Sequence, residues 1–389
     1  SSFLLSLFNI RKEIAYLFTT FHIQTVKQNM KTIIISTSKF GNPVTDYYKT
    51  LGDCFIKNGY KVVFVFDGLF NNYPKETEKL KYYTWQNKRP IKISDFIFFY
   101  KILKCQKPIL CISNFGSTNV VSIVSFLFRV KNRINYVHTT SIQLSTDSKR
   151  SFFKNKLLPY RKKWIYTLNT HLFTNSEGNK EDSSSYYKIS KKKITVFPLL
   201  IEKSKLKYKH FIERENCITI VGRLHPSKGH RELFYLFKEC IKERPNLKLK
   251  IVGNGFLKQD LITLAKELNI TENLVFLGNI PNEKISEIFS SSLIGISSSI
   301  DEAYGLINIE SLREGTPIIC TKTAGSIDIL KVGCNGLFMK LDDKTSLSNS
   351  VNKILNNWNS YSENALNLFE EKYDIKNIEK HFEKIKYFA

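Results

Sequence analysis

Short apolar runs of strand length recur along this chain of 389 residues, and longer runs with helical spacing separate them. The run TIIIST at 32–37 leads through a helical stretch, closed by Gly59, to KVVFVFD at 61–67, which predicts a β–α–β unit. Strands this apolar indicate a parallel sheet that helices cover on both faces. The sequence therefore predicts an α/β fold.

The same alternation continues and starts again after a charged link at 199–216, where we place a domain boundary. Leu257, Leu261, Leu264 and Leu268 have helical spacing and are expected in the core. The length fits two doubly wound domains of about 150 to 200 residues each, with ligands expected between them at the carboxyl ends of the strands. Further strands are predicted at 108–114, 134–140, 171–176, 194–198, 217–222, 247–253, 273–278, 292–298 and 317–322.

Lysine and arginine outnumber aspartate and glutamate by 59 to 35, which gives a formal net charge of +24. This charge fits three classes of partner: nucleic acid, anionic phosphate ligands or an anionic membrane surface. No zinc-finger, helix–turn–helix or RNP-like signature accompanies the charge, so no nucleic-acid partner is expected.

The segment from Lys149 to Trp164 combines cations with apolar residues and contains no acid. This pattern is typical of a helix on an anionic membrane surface, although an ordinary helix with a solvated basic face has it too. A second basic run at 191–193 favours the membrane interpretation. The residues concerned are Lys149, Arg150, Lys154, Lys156, Arg161, Lys162 and Lys163, with Phe152, Phe153, Leu157, Leu158, Tyr160 and Trp164 between them.

The first 29 residues begin apolar, but Arg11, Lys12 and Glu13 interrupt them too early for a membrane span. No cationic segment precedes the apolar run and no small-residue cleavage site follows it, so a signal peptide is not predicted. Residues 1–29 are interpreted as a helical extension, a segment that lies on a membrane, or partly an artificial addition.

The seven cysteines are scattered, and several fall inside apolar runs. They form no CxxC pair and have no histidine at zinc spacing. They are therefore expected to be buried, reduced thiols of a cytosolic protein.

Two glutamates, Glu302 and Glu310, bracket a glycine turn and the predicted start of a helix. A carboxylate accepts two hydroxyl hydrogen bonds and so fits a vicinal diol, and the N–H groups at a helix start favour phosphate. Alone, these glutamates would be better explained as part of a solvated helix face. Upstream, however, ITIVGRLHPSKG places Arg223 and Lys228 in a loop between a strand and a helix, which is a recurrent phosphate-binding arrangement.

Five segments together resemble the retaining glycosyltransferases of family 4, which have the GT-B fold: two Rossmann-like doubly wound domains facing a central cleft. The resemblance covers the C-terminal half strongly and the N-terminal half more loosely. It implies an N-terminal acceptor-binding domain at 30–200, completed by a crossover helix at about 369–389, and a C-terminal nucleotide-sugar domain at 201–368. The segments, in order, are GRLHPSKG at 222–229, IVGNG at 251–255, VFLGNIP at 275–281, EAYGLINIE at 302–310 and EGTPIICTKTAG at 314–325.

The resemblance implies that Arg223 and Lys228 stabilise the departing diphosphate without a metal ion. Glu302 would bind hydroxyls of the donor sugar, and Glu310 the ribose of the nucleotide. The backbone of Tyr304, Gly305, Leu306 and Ile307 would meet sugar and phosphate, and relatives usually carry Phe where Tyr304 stands. For Arg223 and Lys228 the alternative is a solvated surface loop, and for Gly305 a simple turn.

Five further residues match family positions with weaker signals. His138 ends a predicted strand where relatives carry a histidine that faces the reacting sugar, although a lone histidine is more often structural. Gly41 stands where relatives have a glycine pair close to the phosphates, and Gly222 opens the basic loop. Asn254 matches a turn beside the cleft, or is simply a strand-to-helix turn. Ile280 matches a position whose backbone meets the nucleobase, but its side chain is better explained by packing.

The resemblance implies a retaining transfer of a sugar from a UDP- or GDP-linked donor, with no metal cofactor, to a lipid-linked or cell-envelope glycan acceptor. We expect the enzyme at the inner face of the cytoplasmic membrane. Three alternatives remain open: a soluble glycogen- or sucrose-synthase-like transferase, a sugar-nucleotide epimerase, and a catalytically silent GT-B scaffold. No motif encodes the donor sugar or the acceptor.

Overall fold

The computed structural model describes residues 30–38, 42–68, 75–87, 89–146 and 152–389. The chain divides into two compact units, residues 1–31 and residues 32–389. In the first unit only Met30 and Lys31 are described, so the predicted extension at 1–29 lies outside the described residues.

Seven parallel strands form the first sheet of the larger unit, in the order β3-β2-β1-β4-β5-β6-β7. Six of them lie where apolar runs predicted strands, whereas β3 was not predicted because its residues are only half-buried and include a charge. The strands are β1 (Thr32–Thr37), β2 (Lys61–Phe66), β3 (Leu80–Thr84), β4 (Leu110–Ser113), β5 (Asn132–Val137), β6 (His171–Thr174) and β7 (Ile194–Val196).

Six parallel strands form the second sheet, in the order β10-β9-β8-β11-β12-β13. Residues 197–214 connect the two sheets. The unpredicted strand here is β13, whose three residues are too short for a recognisable apolar run. The strands are β8 (Glu215–Val221), β9 (Lys248–Val252), β10 (Leu274–Gly278), β11 (Ser292–Ser297), β12 (Ile318–Cys320) and β13 (Gly336–Phe338).

Helices follow most strands, as parallel connections require. Those of the first half are α1 (Pro43–Lys57), α2 (Ile93–Gln106), α3 (Thr118–Leu127), α4 (Ser141–Thr146), α5 (Phe152–Leu168) and α6 (Glu177–Tyr187). Those of the second half are α7 (His230–Glu243), α8 (Lys258–Glu267), α9 (Asn282–Ser291), α10 (Leu306–Arg313), α11 (Ser326–Ile329), α12 (Ser346–Asn356), α13 (Trp358–Lys372) and α14 (Ile378–Lys386). In the part of the chain described, no helix is long and apolar enough to cross a membrane.

Both faces of the first sheet are buried, as the apolar strands predicted. Ile33 and Ile35 of β1 pack on one face with Phe55 of α1, whereas Ile34 packs on the other face with Phe99 of α2. Because successive strand residues point to opposite faces, this division follows directly from the run of three isoleucines. Leu261, Leu264 and Leu268 are buried in the second domain's core, and Leu257 packs against it, which confirms the predicted helical stripe.

The seven cysteines form no disulfide bond. Five of them are buried, which agrees with the expectation from the sequence. Cys105 is exposed and Cys334 is partly exposed, so burial was wrong for these two, which lie at the end of α2 and in a turn before β13.

The C-terminal helix α14 packs against α1, on the side of the first sheet. Phe382 is fully buried, with its ring centroid 5.0 Å from that of Phe55. The Tyr47 hydroxyl lies 3.0 Å from His381 Nδ1 across the same contact. The chain thus returns from the second sheet to the first and joins the two halves a second time.

Truncation of Phe382 tests how strongly this return crossing holds the fold. We expect Phe382→Ala to lower the free energy of unfolding by about 3 to 5 kcal/mol, because the change leaves a cavity in a filled core. Tyr387→Ala is the matched control, since the Tyr387 side chain is 88% exposed, and it should leave the melting temperature unchanged. Circular dichroism measures both melting temperatures, and equal values for the two variants would contradict this account.

Candidate active site

The order of the second sheet makes two loops neighbours. Strand β8 pairs with β11, although β9 and β10 lie between them in the sequence. At such a switch point the loops that leave the two carboxyl ends form a crevice. Here they are the loop 222–229 after β8 and the loop 298–305 after β11.

Hydrogen bonds and a close backbone approach fix these two loops against each other. Ser298 Oγ donates to the carbonyl of Lys228 (2.8 Å), and the N–H of Ile300 donates to the carbonyl of Ser227 (2.9 Å). A Cβ on Gly229 would lie 2.0 Å from the Ser298 carbonyl oxygen, and this residue has φ +62°. Gly229 is therefore required both for its conformation and for the close approach.

Lys228 and Glu302 form an ion pair across the crevice between Nζ and Oε2. Each side chain is 19% exposed, and Ser299 Oγ donates to the same carboxylate (3.4 Å). Arg223 is exposed in the same loop. The structure therefore brings two of the predicted catalytic residues into direct contact, and it leaves Arg223 accessible at the edge of the crevice.

The turn after β9 packs on the start of the basic loop. The N–H of Gly222 donates to the carbonyl of Val252 (2.9 Å), and the N–H of Leu224 to that of Asn254 (3.0 Å). Gly253 has φ +125°, and a Cβ there would lie 1.9 Å from the Gly222 carbonyl oxygen. The side chain of Asn254 accepts from the next N–H (2.8 Å) and is exposed. These contacts give Asn254 a turn-forming role.

Helix α10 begins at the crevice. Gly305 is its N-cap with φ +85°, so a side chain would be strained there, and no side chain caps the helix. The N–H groups of Leu306 and Ile307, the first two residues of the helix, have no acceptor within it. They are therefore suited to bind an anion.

Tyr304 is buried, and its hydroxyl donates to the carbonyl of Leu199 (2.7 Å), a bond that phenylalanine could not make.

Glu310 lies one turn further along α10 and lines a cavity of about 280 Å³. Asn42 and Asp46, from the other side of the cleft, line the same cavity together with Glu283 and Arg313. Burial raises the pKa of Glu310 to about 7, although the nearby Arg313 opposes the shift. Such a carboxyl needs hydroxyl donors to be stable when ionised, which is what a ribose would supply.

Ile280 packs beside Phe289 and Val252 as predicted, and it does not line this cavity.

His138 follows β5 and is held between two aromatic rings. Its centroid lies 4.3 Å from that of Phe115 and 4.4 Å from that of Tyr136, both nearly parallel. Asn114 donates from Nδ2 to the carbonyl of Ser36 (3.1 Å), so its Oδ1 faces His138 Nε2 at 2.8 Å. Burial lowers the pKa of His138 to about 3. The ring is therefore neutral, with its proton on Nε2 and Nδ1 as an acceptor.

One hydrogen bond links the loop of His138 to the loop of Glu302. Thr140, two residues after His138, donates from its hydroxyl to Asp301, the residue before Glu302. The N–H of Gln143 donates to Thr140 Oγ1 (3.1 Å) at the start of α4, and α4 contacts the turn Pro226–Lys228. Burial raises the pKa of Asp301. The loops that carry the predicted residues of both halves therefore meet at one place.

The sequence did not single out Asn114, Phe115 or Asp301. Phe115 has φ +52°, a left-handed backbone that is strained for an aromatic residue and that turns its ring onto His138. Their roles arise from pairing between strands and between domains, for which a single sequence carries no signal.

Gly41 lies outside the described residues. Within the described ranges, no group of three or more His, Cys, Asp or Glu side chains is placed to hold a metal ion.

Residues 202–368 match the sequence model of the family described as glycosyl transferases group 1. The chain is 29% identical over 169 residues to an uncharacterized glycosyltransferase of Methanocaldococcus jannaschii, with 43% of each chain covered. It is 27% identical over 247 residues to the Campylobacter jejuni N-acetylgalactosamine-N,N'-diacetylbacillosaminyl-diphospho-undecaprenol 4-alpha-N-acetylgalactosaminyltransferase, with 61% of this chain and 64% of that one covered. The matches thus span less than two thirds of these relatives. They show that the chain contains a glycosyltransferase domain.

The solved structure of Anabaena HepE in complex with UDP and glucose is similar to 92% of this chain and to 100% of its own, with a TM-score of 0.72 and 13% identity. At this identity the likeness concerns the fold. It confirms the predicted fold class, because two Rossmann-like domains with parallel sheets enclose a cleft, as in GT-B glycosyltransferases.

The pKa of Glu310 predicts a stability that depends on pH. The buried carboxyl holds its proton up to about pH 7, whereas the unfolded chain releases it near pH 4.5, so stability falls as pH rises between these values. The full loss is at most about 3 kcal/mol. Glu310→Gln removes the ionisation, and its melting temperature relative to wild type should therefore be higher at pH 8 than at pH 5.

Glu267→Gln, at an exposed position of α8, is the control and should show no such trend. A difference between Glu310→Gln and wild type that is the same at both pH values would show that Glu310 is not desolvated in the free protein.

Proposed function

We propose that the protein is a retaining glycosyltransferase that moves a sugar from a nucleoside-diphosphate donor to a lipid-linked or cell-envelope glycan acceptor. The Lys228–Glu302 pair carries the proposal, because it puts a cation for phosphate and a carboxylate for sugar hydroxyls side by side at the start of α10. The family match over 202–368 contains both residues and Glu310. The C. jejuni relative's name gives a diphospho-undecaprenol acceptor, which supports the acceptor class proposed here.

In this reaction the bond between the anomeric carbon and the terminal phosphate oxygen breaks, and a bond forms to the acceptor oxygen. The acceptor's proton passes to the departing phosphate, on the same face of the sugar, and the configuration is retained. Negative charge grows on the departing diphosphate. Lys228, Arg223 and the first-turn N–H groups of α10 would stabilise that charge without a metal ion.

The carboxylates and His138 would hold the donor in place. Glu302 would accept from sugar hydroxyls, and its pairing with Lys228 orients it in the free protein. Glu310 would accept from the ribose. His138, neutral and with Nδ1 as acceptor, would take a hydroxyl hydrogen bond of the sugar. This role is positioning, because a group with a pKa of about 3 is a poor base near neutral pH.

The first test is a thermal-shift screen against UDP, GDP, ADP and CMP and their sugar conjugates. Turnover is then measured with the sugar conjugate of the nucleotide that binds.

We expect Lys228→Ala to lower turnover by at least about 100-fold, because the variant loses a hydrogen-bond donor that faces the charge developing on the phosphate. Lys242→Ala, on the exposed face of α7, is the matched control. If the turnover of Lys228→Ala stayed within about threefold of wild type, a change of less than about 0.7 kcal/mol in activation free energy, the assignment would be contradicted.

Two further outcomes would change the proposed reaction. A product with inverted configuration in proton NMR would exclude the retaining mechanism. A donor that changes without any acceptor present would favour a sugar-nucleotide epimerase.

We also propose that α5 binds an anionic membrane surface at the inner face of the cytoplasmic membrane. Leu157, Tyr160 and Trp164 lie three and four residues apart and are 66%, 71% and 38% exposed, so they form one apolar stripe on the helix. Ile165 and Leu168 of the same helix are buried and anchor it to the fold. An exposed apolar stripe among cations is the pattern of an interfacial helix, and the net charge of +24 favours anionic lipid.

If α5 binds the membrane surface, a larger fraction of the protein should sediment with anionic vesicles than with neutral ones. The double variant Tyr160→Ser/Trp164→Ser should lose most of this binding, because both side chains would otherwise enter the lipid interface. Tyr387→Ser removes an exposed aromatic residue elsewhere and should bind as wild type does. Binding that is equal for the double variant and wild type would exclude α5 as the docking element.

A further inference from the structure

A second cavity, of about 680 Å³, opens at the carboxyl edge of the first sheet. Ser38 after β1, Phe115 after β4 and His138 after β5 line it, so it occupies the switch point of that sheet. Asn42 lines both this cavity and the one that contains Glu310. Its volume suits a ligand of the size of a substituted sugar.

Cations outnumber acids among the described residues that line this cavity. Its described lining holds three cations, Arg89, Arg161 and Lys162, and one acid, Asp67. Two of the cations come from α5, where Leu158, Ile165 and Tyr166 line the cavity with them; the spacing of three and four residues puts all five on one helix face.

The third cation reaches the cavity from another part of the chain. A Cβ on Gly116 would lie 3.6 Å from Arg89 Cγ, so the arginine side chain runs along this glycine next to Phe115. Arg89 is itself exposed. The cavity therefore has cations on α5 and beside the loop after β4.

A buried donor in the cavity wall adds a second, independent observation. Asn135 of β5 is 1% exposed and lines the cavity. Its Nδ2 has no hydrogen-bond partner among the residues that the structure describes. A buried amide without an acceptor costs free energy, and an oxygen of a ligand would remove that cost.

We propose that this cavity binds the phosphate group of a phosphorylated acceptor. The inference rests on the proposed function and specifies its acceptor. Arginine binds phosphate through two parallel hydrogen bonds and lysine through its charge, and a phosphate offers enough oxygens for several donors at once. A neutral glycan would leave the three cations without a counter-charge from the ligand. The phosphate comes either from a lipid diphosphate or from a soluble sugar phosphate.

The test measures binding of inorganic pyrophosphate to protein saturated with its nucleoside diphosphate, so that the site at Lys228 is already occupied. We expect Arg161→Ala/Lys162→Ala to raise the Kd for pyrophosphate by at least about tenfold. Lys163→Ala is the matched control, because Lys163 lies on the same helix but does not line the cavity. Circular dichroism checks that all three proteins are folded.

The Kd for the nucleoside diphosphate, measured in the same variants, should not change. If the nucleotide binds normally but pyrophosphate binds wild type and double variant equally, or binds neither, the phosphate site is wrong and the proposed function stands. If wild type binds no nucleotide, both proposals fail.

Competition then distinguishes the two sources. Stronger displacement of pyrophosphate by farnesyl diphosphate than by glucose 1-phosphate supports the site with a lipid diphosphate as its ligand. Stronger displacement by glucose 1-phosphate supports the same site with a soluble sugar phosphate as its ligand. Displacement by neither would overturn the proposal.

Discussion

The parallel pairing of β8 with β11 is the constraint on which the donor side of the cleft depends. Two loops that are 70 residues apart in the chain become neighbours only because these strands are adjacent, and Gly229 lets their backbones touch. The Lys228–Glu302 pair is a consequence of that contact. In the first domain β4 pairs with both β1 and β5, so Asn114 bonds to Ser36 after β1 on one side and lies against His138 after β5 on the other. Each half therefore supplies its chemistry from a switch point.

Several groups at the cleft are arranged at a cost to stability. Glu310 is a buried carboxyl whose pKa is raised to about 7, Asn135 keeps an amide donor without an acceptor, and Phe115 has a left-handed backbone. A folded protein tolerates such groups where the rest of the structure determines their positions. Here the apolar layers on both faces of each sheet supply that support. Bound nucleotide and acceptor would satisfy the polar groups that the free protein leaves unsatisfied.

The sequence predicted those parts of the molecule that are encoded locally. Continuous apolar runs predicted eleven of the strands described, and they missed β3 and β13, which are half-buried or very short. Lys228, Glu302 and Glu310 were found because each lies in a contiguous motif next to a glycine turn. The bond from Thr140 to Asp301 joins residues 161 positions apart, so no local pattern announces it. The same holds for the ring stack on His138, which depends on the register of β4 and β5.

Helix α5 connects the two surfaces that the acceptor would meet. One of its faces exposes Leu157, Tyr160 and Trp164, and the adjacent face presents Arg161 and Lys162 to the larger cavity. Because both sets lie on the same helix, contact of the first with a membrane would set the distance between the lipid surface and the cavity. A lipid diphosphate has its charge just outside the bilayer, at the depth where such cations would meet it. The geometry of α5 thus favours the lipid diphosphate over a soluble sugar phosphate as the source of the bound phosphate.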